Sequence, residues 1–187
     1  MSYTEIYKVP EKGEIESYAD VNNAGRGAYL IWSGVYKHYI GNKFNLWKDD
    51  HCKSVSYLVK DNDVHINDRI VIATTLENMM IRRENLPLLI NAMEDFGNRH
   101  DNGNLPEQVE HLKALVQDST CFAVCWNQTN GDAWEVNSGE IDEDGEKVWR
   151  MYDVSKDNGH WFLFEKYPKL LEAANVSLKF RGSYEEI

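Results

Sequence analysis

One group of side chains that could do chemistry is acidic and lies between residues 132 and 146. Seven carboxylates and no cationic side chain fall in this segment: Asp132, Glu135, Glu140, Asp142, Glu143, Asp144 and Glu146. Residues 140–145 approach the spacing of an EF-hand calcium loop. Such a loop needs Asp in its first position and a bidentate Glu in its twelfth, but here those positions hold Glu140 and Met151. The segment therefore predicts no calcium site of this type.

The end of the acidic segment is a candidate surface for binding a basic partner. Asp142, Glu143, Asp144 and Glu146 surround an Asp-Gly pair that is typical of a hairpin turn. At the tip of a hairpin, their carboxylates can take the positions that phosphates take in a basic groove. Such contacts raise the association rate and the specificity of binding, and they weaken as salt is added. The alternative is a solvated turn that binds nothing.

A basic and aromatic segment lies between residues 26 and 60, where six cationic side chains outnumber two acidic ones. Cations neutralise phosphates and aromatic rings stack on bases, so this composition is typical of a surface that binds nucleic acids or other anions. The candidate residues are Arg26, Lys43, Trp47 and Lys48. Arg26 precedes a predicted helix, whose free N–H groups attract anions. The alternative is a helix that buries its aromatic residues and leaves its lysines in solvent.

Histidine and cysteine form no catalytic or metal-binding pattern in this sequence. The six His and three Cys give no H-E-x-x-H or C-x-x-C motif, and no G-x-S-x-G motif occurs. An odd number of cysteines without framework spacing is typical of reduced thiols. We therefore expect no cofactor, no metal and no catalytic residue. The alternative is a small enzyme whose site assembles only in the fold, for instance around His51 and Cys52.

The composition predicts one folded domain that spans residues 1–187. Hydrophobic residues make up 42% of the chain and aromatic residues 12%, which is enough for a core that needs neither metal nor disulfide. The net charge is −11, although the segment from 26 to 60 is positive. The first ten residues hold no apolar run, and no stretch approaches the roughly 20 apolar residues of a membrane span. We therefore expect a soluble, cytoplasmic protein that binds no membrane.

Strands and helices are predicted from the period of the apolar residues. The predicted strands are residues 3–9, 55–59, 69–75, 79–82, 121–126, 134–136, 140–141, 148–152 and 176–180, with a loop at 42–53. The predicted helices cover residues 28–39, 85–96, 106–116 and 170–174, and residues 161–164 fit either a strand or a helix start. Elements of one kind come in groups, so we expect an α+β fold: a mainly antiparallel sheet with about three to four helices packed on it.

Three short segments resemble small uncharacterised proteins carried by phages and mobile elements of Gram-positive bacteria. They read Ser-Tyr-Thr-Glu-Ile-Tyr at residues 2–7, Arg-Gly-Ala at 26–28 followed by Ile-Trp at 31–32, and Ala-Val-Cys-Trp-Asn-Gln-Thr at 123–129. This resemblance implies an inhibitor of host defence, of the anti-CRISPR type that binds Cas9. It implies no particular binding residue.

The charge distribution and the absence of catalytic motifs together predict a non-enzymatic binding protein. Its expected partner is a bacterial nucleic-acid-handling protein, with Cas9 as the case that the resemblance implies, and we also expect a weak contact with DNA or RNA. Two alternatives stay open: a small cytosolic enzyme with a site assembled in the fold, and an accessory phage protein.

Overall fold

The computed structural model of this protein describes residues 2–23, 27–41, 43–45, 47–76, 78–100, 105–128 and 134–182. The strands in these ranges are β1 (Ser2–Val9), β2 (Glu16–Asn23), β3 (Met79–Arg82), β4 (Ala123–Asn127), β5 (Glu135–Ile141), β6 (Lys147–Met151) and β7 (Trp161–Phe162). The helices are α1 (Ala28–Val35), α2 (Asp49–Leu58), α3 (Ile66–Thr74), α4 (Leu86–His100), α5 (Leu105–Gln117), α6 (Leu163–Lys166) and α7 (Pro168–Gly182). A π-helical turn (Tyr36–Ile40) extends α1, and a 3-10 turn (Arg83–Asn85) precedes α4.

The larger sheet has five strands in the order β2-β1-β4-β3-β7. The β1–β2, β1–β4 and β3–β4 pairs are antiparallel, whereas β3 and β7 are parallel. Strands β5 and β6 pair with each other in a separate antiparallel hairpin. The prediction of an α+β fold is therefore confirmed, and the sheet predicted as mainly antiparallel is a mixed one with a single parallel pair among its described strands.

One face of the five-stranded sheet packs against the helices. Ile6 of β1, Ile81 of β3 and Val124 of β4 are buried there among apolar residues of α1, α3, α4 and α5. Helix α4 contributes Met93 and Phe96 from one side of its surface, at the helical spacing that predicts it. It continues past its predicted end at residue 96 to His100.

The opposite face of the sheet is covered by the region around the β5–β6 hairpin. Tyr7 of β1, Met80 of β3 and Cys125 of β4 pack there against Trp134 and Tyr152, which flank the hairpin. The N–H of Tyr152 donates to the carbonyl of Trp134 at 2.8 Å and closes the root of the hairpin. The sheet thus lies between a thick helical layer and a thin layer formed by the hairpin.

Residues 69–75 are predicted as a strand, but they belong to helix α3 and the turn that follows it. Ile70, Val71, Ile72 and Ala73 are all completely buried. This part of the helix is therefore buried on every side and shows no helical period, and its β-branched residues then favour a buried strand. The predicted hairpin between residues 69–75 and 79–82 is wrong for the same reason, although 79–82 do form β3.

Helix α2 occupies residues that the sequence assigns to a loop and a strand at 55–59. It buries Val55 and Leu58 and exposes Tyr57, which is the spacing of a short polar helix. The strand predicted at 176–180 is also wrong, because α7 runs through these residues. Helices α2, α3 and α6 are thus additional to the predicted ones, and the described part of the chain holds seven α-helices instead of three or four.

Strand β2 is absent from the predicted elements because its sequence is mostly polar. It lies at the edge of the sheet, where Ala19 and Val21 pack toward the helices and most of its other side chains meet solvent. The β5–β6 hairpin is confirmed, and Gly145 adopts a φ of 85° in its turn, a value that favours glycine. None of the helices in the described ranges is long and apolar enough to cross a membrane.

Candidate functional site

The predicted acidic residues lie at the exposed turn of the β5–β6 hairpin. The Oδ1 atom of Asp142 accepts the backbone N–H groups of Asp144 at 3.0 Å and of Glu146 at 2.9 Å, so Asp142 holds the turn closed. The side chains of Glu143, Asp144 and Glu146 are exposed and form no ion pair within the described ranges. We call Asp142, Glu143, Asp144 and Glu146 the acidic tip.

Two large apolar side chains lie on one face of the same hairpin. Ile141 is opposite Lys147, and Trp149 is opposite Asn137. Since residues 147 and 149 lie on the same side of β6, Ile141 and Trp149 share a face, which we call the hairpin face. Ile141 is 70% exposed and Trp149 is 58% exposed. Neither residue is among the sequence-based candidates, although apolar residues beside a solvated Asp-Gly turn have no core to enter.

Three of the predicted basic and aromatic residues converge on one cavity of about 440 Å³. Lys43, Trp47 and Lys48 line it together with His51 of α2, and we call this site the basic pocket. Both lysines are exposed, and Trp47 is 87% exposed. The fourth candidate, Arg26, lies outside the described residues.

A buried phenylalanine anchors the loop that carries the basic pocket. Phe44 is 2% exposed, and its ring makes edge contacts with Tyr29 at 5.6 Å and Tyr36 at 5.5 Å between centroids. The Oδ1 atom of Asn45 accepts the N–H of Trp47 at 3.0 Å, which forms a local turn. Because Phe44 enters the core, its neighbours can project outward. The aromatic residues of this segment are thus divided between the core, where Phe44 lies, and the solvent, where Trp47 lies.

The neighbouring His51 and Cys52 do not form an activated thiol. The Nδ1 atom of His51 accepts the backbone N–H of Asn45 at 3.1 Å, so this nitrogen already has a partner. Burial raises the pKa of the Cys52 thiol, and the charges of Asp49 and Asp50 raise it further. A nucleophilic cysteine needs a lowered pKa. The pair therefore gives no support to the enzyme alternative.

The other two cysteines are free thiols in or next to β4. Both Cys121 and Cys125 are buried. Burial raises the pKa of Cys121 to about 11 and that of Cys125 well above its usual value. Both thiols are therefore protonated and act as small apolar side chains in the core.

A buried polar cluster joins α3 to α4 and to the π-helical turn. Asp68 is completely buried and accepts hydrogen bonds from Arg99 at 2.6 and 2.7 Å and from the Tyr39 hydroxyl at 2.6 Å. The Nε2 atom of His100 lies 3.0 Å from the same carboxylate. Burial opposes the charge of Asp68, but the hydrogen bonds from His100, Arg99 and Tyr39 outweigh it and lower its pKa to about 2. Protein groups occupy this carboxylate, so its role is structural.

The comparisons with known proteins identify no relative. No protein-family model, no curated protein and no solved structure matches the chain. Within the described ranges, no group of three or more His, Cys, Asp or Glu side chains could hold a metal ion. The function therefore has to be inferred from the acidic tip with its hairpin face and from the basic pocket.

Proposed function

We propose that this protein is a non-enzymatic inhibitor that places its acidic tip in the basic groove of a bacterial nucleic-acid-handling protein. The observation that carries the proposal is the make-up of a single exposed hairpin. The exposed carboxylates of Glu143, Asp144 and Glu146 lie at its end, and Ile141 and Trp149 lie exposed on one face. A solvated turn without a partner would need the charges but not the apolar side chains.

The two features of the hairpin act at different stages of binding. Carboxylates that approach a cationic groove raise the association rate by roughly 10- to 1000-fold, and this gain falls steeply with ionic strength. Trp149 supplies an aromatic side chain of the type that dominates binding energy once it is buried in a partner's pocket. The tip therefore governs the association rate, and the hairpin face governs the lifetime of the complex.

Occupation of the groove by carboxylates supports inhibition by competition, because the same cationic side chains cannot also hold phosphates. The resemblance to proteins of phages and mobile elements makes a Cas9–guide complex, in the cytoplasm of the host cell, the first defined partner to test.

The test compares two triple variants that change the net charge equally. The tip variant carries Glu143→Lys, Asp144→Lys and Glu146→Lys and keeps Asp142, which closes the turn. The charge control carries Glu11→Lys, Asp63→Lys and Glu172→Lys, which replace exposed acidic residues elsewhere.

Binding of target DNA by the Cas9–guide complex is measured as each protein is added. Wild type and charge control should reduce DNA binding, and the tip variant should need at least about tenfold more protein because its charges now repel the groove. Equal inhibition by both variants would exclude the tip as the contact, and no inhibition by wild type would exclude Cas9 as the partner.

A direct contact with DNA or RNA is a second proposal, supported by the convergence of Lys43, Trp47 and Lys48 on one cavity. The lysines would neutralise phosphates, and the exposed Trp47 ring would stack on a base, a contact worth about 1–3 kcal/mol.

A mobility-shift assay with single-stranded DNA at low salt tests this contact. The variants Trp47→Ala and Lys43→Glu/Lys48→Glu should bind at least about fivefold more weakly than wild type. The control Lys12→Glu/Lys169→Glu changes two exposed lysines elsewhere and should lose less. Absence of any shift with wild type at low salt would contradict the proposal.

A further inference from the structure

A second polar cavity, of about 260 Å³, lies where the root of the β5–β6 hairpin meets the five-stranded sheet. Glu5 and Tyr7 are two residues apart on β1, Ser17 is opposite Tyr7 on β2, and Asn127 is opposite Glu5 on β4. The strand register therefore places these four side chains on one face of the sheet. Glu135 of β5 completes the polar lining from the hairpin side.

The carboxylates at this cavity have no cationic partner among the described residues. The Tyr7 hydroxyl donates to one oxygen of Glu5, and the Ser17 hydroxyl donates to the other at 2.9 Å, so Glu5 is held in a fixed orientation. Asp20 lies directly opposite Glu5 across β1 and β2, an arrangement of like charges that is unfavourable in a sheet. No Lys, Arg or His of the described residues forms an ion pair with Glu5, Asp20 or Glu135.

The cavity offers hydrogen-bond acceptors, and three of the donors around it are already used. The Oδ1 atom of Asn127 is buried and has no hydrogen-bond partner within the described ranges. The Tyr7 and Ser17 hydroxyls both donate to Glu5, and the indole N–H of Trp134 donates to a backbone carbonyl at 2.9 Å. A guest that complements the carboxylates of Glu5 and Glu135 is therefore cationic and rich in hydrogen-bond donors.

Arginine and lysine side chains meet this description, since a guanidinium has five donors and an ammonium three, and neither has an acceptor. The cavity is smaller than the roughly 300–1,000 Å³ of sites that enclose whole small-molecule ligands. Trp134 and Met151 form its apolar walls, against which the methylene stem of such a side chain can pack. A guanidinium fits better than an ammonium, because its planar fork can bond Glu5 and a second acceptor at once.

We propose that this cavity, the arginine socket, receives an arginine side chain of the partner protein. The inference rests on the proposed function, because the socket adjoins the surface that would contact the partner. Glu135 and Met151 are opposite each other at the hairpin root, and Met151 lies on the same side of β6 as Trp149. A basic segment that crosses the hairpin face can thus place one arginine in the socket.

The test uses the isolated protein, labelled with ¹⁵N, and two small probes that differ in charge but hardly in shape. N-acetyl-arginine amide should bind at millimolar concentration and shift the amide signals of Ser17, Asn127 and Glu135 in a saturable way. N-acetyl-citrulline amide, its neutral counterpart, should leave them unchanged. Equal shifts with citrulline, or arginine-induced shifts that occur at the acidic tip instead, would overturn the proposal. Saturation of the same signals by Ca²⁺ below 1 mM would overturn it in favour of a metal site.

Two variants assign the effect to the socket. Glu135→Gln should weaken binding of the arginine probe at least about fivefold, whereas Glu143→Gln removes the same charge from the acidic tip and should leave the affinity unchanged. An equal affinity in both variants would overturn the assignment.

The titration with the arginine probe contains no partner protein, so the socket and the proposed function can fail separately. If the arginine probe binds but no partner is captured, the proposed function fails alone. If Glu135→Gln and Glu5→Gln keep full affinity for a partner that the tip variant does not bind, the socket fails alone.

Discussion

The buried Asp68 cluster gives a sharp test of how this fold is held together. Replacing Asp68 by Asn keeps the shape of the side chain but removes the charge that Arg99 and His100 contact. The guanidinium of Arg99 still has Asp95 at 2.9 Å, and 29% of its side chain is exposed, so it is not left entirely without a partner. The substitution therefore isolates the contribution of one buried carboxylate.

The size of the expected loss of stability follows from the pKa of Asp68. This pKa is about 2 in the folded protein, whereas the ordinary value of an aspartate is 3.8. At about 1.4 kcal/mol per pKa unit, this difference corresponds to about 2.5 kcal/mol of folding free energy at neutral pH. Removal of one partner of a buried pair costs about 3–5 kcal/mol. Because Arg99 retains Asp95, we expect the lower end, about 3 kcal/mol.

The pH dependence of the unfolding free energy shows whether the charge of Asp68 causes this loss of stability. Since the folded pKa is below the unfolded one, the contribution is fully present above about pH 5 and is lost as the pH falls toward 2. The free energies of unfolding of wild type and Asp68→Asn, measured in urea, should therefore differ by about 3 kcal/mol at pH 7. This difference should decrease by about 1 kcal/mol between pH 5 and pH 3. Asp63→Asn, at an exposed position, serves as the control. A difference under about 1 kcal/mol at pH 7, or one that stays constant with pH, would show that the charge of Asp68 does not stabilise the fold in this way.

Three further predictions concern the thiols, the loop anchor and the hairpin face. At pH 8, a thiol reagent should modify Cys52 slowly in the folded protein and Cys121 and Cys125 only after unfolding, because burial raises the pKa of all three thiols. Peptide mass spectrometry measures the modification of each cysteine, and rapid modification of Cys125 in the folded protein would contradict this expectation. Phe44→Ala should lower the free energy of unfolding by about 3–5 kcal/mol, and a loss under 1 kcal/mol would show that the loop is not anchored by this ring. Trp149→Ala should leave the unfolding free energy within about 0.5 kcal/mol of wild type but weaken partner binding at least about tenfold, and unchanged affinity would exclude the hairpin face.

The elements that bury one side are predictable from this sequence. In α5, Val109 and Leu112 recur at helical spacing, and in the β5–β6 hairpin an Asp-Gly pair with Gly145 at positive φ marks the turn. Prediction fails for α3, because residues 70–73 are buried on all sides and leave no period to detect. It fails for β2 because this edge strand needs few apolar residues.

The candidate surfaces also differ in how far the sequence predicts them. The acidic tip could be recognised from the sequence, because its charges are neighbours along the chain. The basic pocket could be recognised in part, but the inward position of Phe44 depends on the tertiary packing of Tyr29 and Tyr36 around it. The arginine socket could not be recognised, because its polar lining comes from strands far apart in the chain and depends on a strand register that no local pattern specifies.

We propose that the acidic tip occupies a groove that otherwise holds nucleic acid. This contact is tested most directly by capture of bacterial nucleic-acid-binding proteins on immobilised wild type, tip variant and charge control, each with and without competing duplex DNA. We expect a partner that wild type and charge control retain, that DNA displaces, and that the tip variant does not bind at low salt. A partner that all three forms retain equally, or whose capture is insensitive to DNA, would show that the acidic tip does not compete with nucleic acid for a groove.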